Sequence, residues 1–84
     1  MAFEIAYKKS VRKDLASLPK ATARRILDKI DSALAARADT FPALAGEFAG
    51  LRKLRVGDYR VIFAILENRV LVLRIGHRRD VYER

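Results

Sequence analysis

Two turn signals divide the last third of the chain into three short apolar runs, and this constrains the fold more than any other feature. The runs are Leu51 to Val56, Tyr59 to Leu66 and Val70 to Ile75, rich in β-branched and aromatic residues. Gly57-Asp58 separates the first pair and Glu67-Asn68-Arg69 the second. Separators this short join neighbouring antiparallel strands, so the three runs read as a meander.

The N-terminal half must cover one face of that meander. Phe3, Ile5 and Tyr7 alternate with Glu4 between the first two, the period-2 pattern of a half-buried strand over 2–7. Ser10 then offers an N-cap to a short helix whose Val11, Leu15 and Leu18 fall on one side. Pro19 cannot continue that helix but suits the first position of another, in which Ala23, Ile26, Leu27, Ile30 and Leu34 recur at helical spacing. A helical hairpin follows, broken near Leu18 and Pro19. Its outer residues Lys20, Arg24, Asp28, Lys29, Asp31 and Arg37 read as an ordinary solvated face, and 38–50, with Pro42, Gly46 and Gly50, as a connector. The order βααβββ implies an α+β fold, a small, mostly antiparallel sheet packed on one face against an N-terminal helical hairpin. Eighty-four residues are enough for one domain, 1–84, and too few for two.

Charge indicates the partner. Eighteen basic against ten acidic residues give +8, which favours a polyanion. The absence of cysteine excludes disulfides, Cys-ligated zinc and thiol catalysis. The N-terminus lacks a signal-peptide apolar region and no run approaches the ~20 apolar residues of a membrane span, so a cytoplasmic protein without membrane contact is expected.

The cations are unevenly placed. Residues 49–84 carry nine basic and four acidic side chains, 1–48 nine and six. With Gly57-Asp58 as a two-residue turn, Val56 pairs with Tyr59, Arg55 with Arg60 and Lys53 with Ile62, so Lys53, Arg55 and Arg60 share one face. Like charges directly opposite each other repel, so this gathering implies a bound anion. The second turn leaves two registers open. A Glu67-Asn68 loop puts Ile75 and His77 on the face of Arg60, whereas a Glu67-Asn68-Arg69 loop puts Arg74, Gly76 and Arg78 there.

No metal-ligand spacing and no glycine-rich phosphate loop occur, and the lone His77 has no evident nucleophile to activate, so no metal or cofactor is expected. Arginines and a lysine can stabilise charge developing on a phosphate, and Tyr82 or His77 is a candidate for moving a proton. RNA brings its own nucleophile, because its 2′-hydroxyl can attack the adjacent phosphorus and leave a 2′,3′-cyclic phosphate and a 5′-hydroxyl.

The stretch Leu54-Arg55-Val56-Gly57-Asp58-Tyr59-Arg60-Val61-Ile62-Phe63, followed by Ile75-Gly76-His77-Arg78-Arg79-Asp80-Val81-Tyr82, resembles the RelE branch of the RelE/ParE toxin superfamily. The early Lys8-Lys9-Ser10-Val11-Arg12-Lys13-Asp14-Leu15 and Leu18-Pro19 segments are similar to that family's first helix and its break, so the resemblance covers nearly the whole chain. It implies a RelE-like fold and a ribosome-dependent mRNA interferase, the toxin of a type II toxin–antitoxin pair. Arg60 and Arg78 match the family's phosphate-stabilising arginines, Tyr82 the tyrosine proposed as base, and Lys53 one of two active-site lysines. Leu51 stands where the second lysine is expected, with the charges of Arg52 and Arg55 nearby. Arg52, Arg55 and Arg79 are the expected RNA contacts, and His77 an added proton-transfer candidate. The implied partners are mRNA, the ribosome and a RelB-like antitoxin whose acidic or amphipathic segment joins the toxin in a hetero-oligomer. Two alternatives stay open: a ParE-like gyrase inhibitor without nuclease activity, and an inactive member that binds only its antitoxin.

Overall fold

The computed structural model describes residues 2–44, 46 and 50–79. Alternating residues form β1 (Glu4–Tyr7), followed by α1 (Val11–Ala16) and α2 (Lys20–Lys29). Ser10 stands at the N-cap of α1 without the expected side-chain hydrogen bond. The preceding turn takes over that task, since the carbonyls of Lys8 and Lys9 accept from the N–H groups of Val11 and Arg12 at 3.0 and 3.2 Å. Pro19 separates the helices as expected, but as the N-cap of α2 rather than its first residue, with its carbonyl accepting from Ala23 at 2.9 Å.

The second helix does not stop at Lys29. It passes through a π-helical turn (Ile30–Leu34) and a last α-helical turn (Ala35–Arg37) into a 3-10 turn (Ala38–Thr40). A regular α-helix advances about 100° per residue, so residues eight apart lie about 80° from each other around the axis. A π-turn accommodates one extra residue and reduces that offset to about 20°. Ile26 and Leu34, eight apart, are accordingly both fully buried, and the apolar stripe stays on the sheet.

Three strands complete the sheet: β2 (Arg52–Val56), β3 (Tyr59–Leu66) and β4 (Arg69–His77). The order is β1-β4-β3-β2, with β1 parallel to β4 and the other pairs antiparallel. Val61, Phe63, Val70 and Val72 face the helices, where they meet Val11, Ile26, Ile30 and Leu34 in one core. This is the α+β arrangement expected from the order of elements.

The first hairpin keeps the expected register, Val56 with Tyr59, Arg55 with Arg60 and Lys53 with Ile62. The second combines features of both alternatives. Its loop is the two-residue Glu67-Asn68, since Leu66 pairs with Arg69, but the register slips between Ile62 and Phe63. Val72 opposes Phe63 and Arg74 opposes Ile62, which leaves Leu73 as the extra residue of a β-bulge. The reason is burial. Val70 and Val72 sit in the core, and strict alternation would drive Arg74 in after them. The bulge sends Arg74 to the other face and returns Ile75, 3% exposed, to the core.

Beyond Val72 the short β1 no longer covers β4. The Ile75 N–H is met instead by Oδ2 of Asp14 on α1, at 3.0 Å. Removing that acceptor strands a half-buried donor. Asp14→Ala therefore lowers stability by about 1–3 kcal/mol in urea titrations, and Asp14→Asn, which retains an acceptor, by less.

Candidate functional site

The sheet face turned away from the helices carries the cations. In register across it stand Lys53, Ile62 and Arg74, then Arg55, Arg60 and Gly76. The Arg78 N–H donates to the Asp58 carbonyl at 2.8 Å, extending the ladder one step beyond β4 and bringing Arg78 to the same face. Arg60 is thus flanked by Arg55 directly, by Lys53, Arg74 and Arg78 diagonally, and by Gly76, which adds no side chain. The bulge at Leu73 is what makes this gathering; without it Arg60 would face Ile75. Ile62, 4% exposed although it lies on this outer face, stands in register between Lys53 and Arg74.

At the β2 edge a cavity of about 410 Å³ joins Lys53, Arg55 and Arg60 to Lys29 and Arg37 of the long helix. No acidic side chain lines it among the described residues. Phe41 borders it and fixes part of its wall, meeting Phe63 edge-to-face at 6.3 Å between centroids, while the Arg37 guanidinium lies 5.7 Å from its ring centroid. An adjoining cavity of about 620 Å³ shares Lys29 and Arg55 and adds Arg25 and Asp28. Lys29 and Arg37 are exposed, as the solvated-face reading implied, and in addition line this cavity.

The remaining predicted residues fall elsewhere. Arg52 projects from the same edge but is engaged with backbone, its Nη1 donating to the carbonyls of Phe41 at 2.7 Å and Asp39 at 3.3 Å. It anchors the connector that forms the cavity's rim. His77 pairs with Tyr59 on the face opposite Arg60, ring to ring at 5.6 Å, and its Nδ1 accepts from the Arg79 N–H at 3.2 Å. Arg79 is exposed just beyond β4. Tyr82 lies outside the described residues. Tyr7, on the distant edge strand, is no substitute as a base, because burial and then the Asp31 carboxylate both raise its pKa. Among the described residues no group of three His, Cys, Asp or Glu stands together as a metal site, and no helix is long and apolar enough to cross a membrane.

A family model described as ParE toxin of type II toxin-antitoxin system, parDE, matches residues 5–82. Among solved structures, the archaeal RelE-RelB complex from Pyrococcus horikoshii matches at a TM-score of 0.66 and 30% identity, over 96% of this chain and 100% of that one. The toxin-antitoxin complex RelBE2 from Mycobacterium tuberculosis matches at a TM-score of 0.81 and 24% identity, over 93% and 100%. The chromosomal ParDE system from P. aeruginosa matches at 0.75 and 16%, over 90% and 96%. No curated protein matches the chain.

Proposed function

This chain belongs to the RelE/ParE superfamily of type II toxins, and from that premise we propose that it is a ribosome-dependent endoribonuclease of the RelE kind, one toxin domain over 1–84. The observation that carries the reading is the gathering of Lys53, Arg55, Arg60 and Arg78 on one sheet face, around the gap left by Gly76. A scissile phosphate seated there gains negative charge as the 2′-hydroxyl attacks phosphorus, and Arg60 and Arg78 stabilise that charge. Tyr82, ionised to its phenolate, accepts the 2′-hydroxyl proton. The bond to the 5′-oxygen breaks, Lys53 supplies the proton that this oxygen takes up, and a 2′,3′-cyclic phosphate and a 5′-hydroxyl remain. His77 is not the base in this scheme, because its ring lies on the other face and its Nδ1 is engaged by Arg79. Arg55 and Arg79 hold flanking phosphates, and Arg52 adds charge at the rim. The ribosome supplies the positioning that so small a site lacks.

A toxin of this kind is held in check in the cytoplasm by a RelB-like antitoxin. An acidic or amphipathic segment of that partner covers the basic face in a hetero-oligomer. The Pyrococcus and Mycobacterium relatives, both solved as toxin–antitoxin complexes, support this.

The matching family model is itself described as ParE, which favours a second reading, inhibition of gyrase by protein contact. One pair of assays separates the two. Primer extension on an mRNA in reconstituted translation should reveal cuts only when ribosomes are present, weakened about 10²-fold or more by Tyr82→Phe. Gyrase supercoiling should be unaffected. Intact mRNA together with blocked supercoiling would move the assignment to the ParE reading.

A further inference from the structure

The basic cavity is built from two elements that share no hydrogen-bonded ladder, the long helix and the β2 edge. Lys29 and Arg37 are eight residues apart, the spacing of the buried pair Ile26 and Leu34. The extra residue at Ile30–Leu34 keeps Ile26 and Leu34 on the core, and Arg37, whose own backbone leaves the helix at φ −149° and ψ 41°, joins Lys29 in lining the cavity at the β2 edge. Two helix cations thus stand beside Lys53 and Arg55. The two cavities share Lys29 and Arg55, so the basic surface continues along the edge to Arg25.

Such a wall repels itself when empty, and an extended polyanion offsets that repulsion better than a single small ion. The geometry points to a second phosphate subsite, formed by Lys29 and Arg37 with the β2 edge, that holds the RNA backbone next to the phosphate seated at Arg60. This deepens the endoribonuclease reading and rests on it for the choice of RNA. Lys29 and Arg37 are positioning residues. They bind a phosphate that does not react, and the stack of Arg37 on Phe41 sets the direction of its guanidinium.

The test measures affinity for a 2′-O-methyl oligoribonucleotide, which cannot be cut, by fluorescence anisotropy across a range of salt concentrations. On a single strand, each phosphate that the protein no longer neutralises takes about 0.7 off the slope of log affinity against log salt, so Lys29→Gln/Arg37→Gln, which gives up one phosphate, should lower it by about 0.7. Lys29→Arg/Arg37→Lys, which retains both charges, should restore it. An unchanged slope in the Gln pair, with an unchanged melting curve, overturns the subsite. So does failure of the wild-type protein to bind the oligonucleotide. The same titration with poly-glutamate is the control, and a larger loss there than with RNA assigns the groove to an acidic protein instead. Because the probe is never cleaved, a protein that shows the slope change but cuts no mRNA contradicts only the endoribonuclease reading.

Discussion

Arg60→Ala lowers the rate of mRNA cleavage by about 10²–10³-fold while the protein melts where the wild type does or slightly above it. The magnitude is that of removing one preorganised donor from the charge that develops in a transition state. The unchanged melting point follows from the position of Arg60. Its side chain lies on the outer face, only half-buried, and its hydrogen bond to the carbonyl of Tyr59 is a long one, 3.4 Å. Directly opposite stands Arg55, so truncation also relieves a like-charge pair. Single-turnover cleavage at saturating mRNA separates the effect from weakened binding, since a group that acts on the transition state lowers kcat more than it raises KM. A folded Arg60→Ala protein that cuts at the wild-type rate would remove Arg60 from the site.

Phe63→Ala lowers stability by about 3–5 kcal/mol, the usual cost of truncating a buried phenylalanine. A chain of 84 residues has on the order of 4–13 kcal/mol in total, so this change removes much or all of it. Phe63 is fully buried on β3 and meets Phe41 edge-to-face. Phe41 in turn borders the basic cavity and carries the Arg37 guanidinium. The damage therefore spreads from the core to the site, and cleavage fails because the cavity wall is no longer held. Urea titration reads the effect directly, and Phe63→Leu should retain most of the stability by filling most of the volume. A Phe63→Ala protein within about 1 kcal/mol of wild type would contradict the central place given to this ring.

Much of this architecture is legible in the residues. β3 spans Tyr59–Leu66 as the turn signals imply, because a glycine with φ of +60° at Gly57 and a short polar loop at Glu67-Asn68 punctuate it on either side. The gathering of Lys53, Arg55 and Arg60 follows from that first turn alone. The second hairpin is ambiguous in the sequence because loop length does not decide register once a bulge intervenes. The signal is nevertheless there: Val70, Val72 and Ile75 are core residues whose spacing breaks from two to three at Leu73. The π-turn leaves no such trace. Ile26, Ile30 and Leu34 recur every four residues, which fits an α-helix as well as a widened one. Lys29 and Arg37 read as solvated and are exposed, but that they line one cavity with the β2 edge is not legible in their spacing. Leu27, counted with the core by its spacing, is only half-buried, at the flank of the stripe. For His77 the sequence offers only parity, and the bulge that brings Arg78 to Arg60 sends His77 to the other face.

The central claim is that the basic sheet face promotes attack by the 2′-hydroxyl on an RNA phosphate, and the ends of the cleaved strand test it most directly. An end-labelled mRNA on ribosomes, treated with the wild-type protein, should yield an upstream fragment ending in a 2′,3′-cyclic phosphate and a downstream fragment beginning with a 5′-hydroxyl. Fragments carrying a 3′-hydroxyl and a 5′-phosphate, or no fragments from a folded protein, would contradict it.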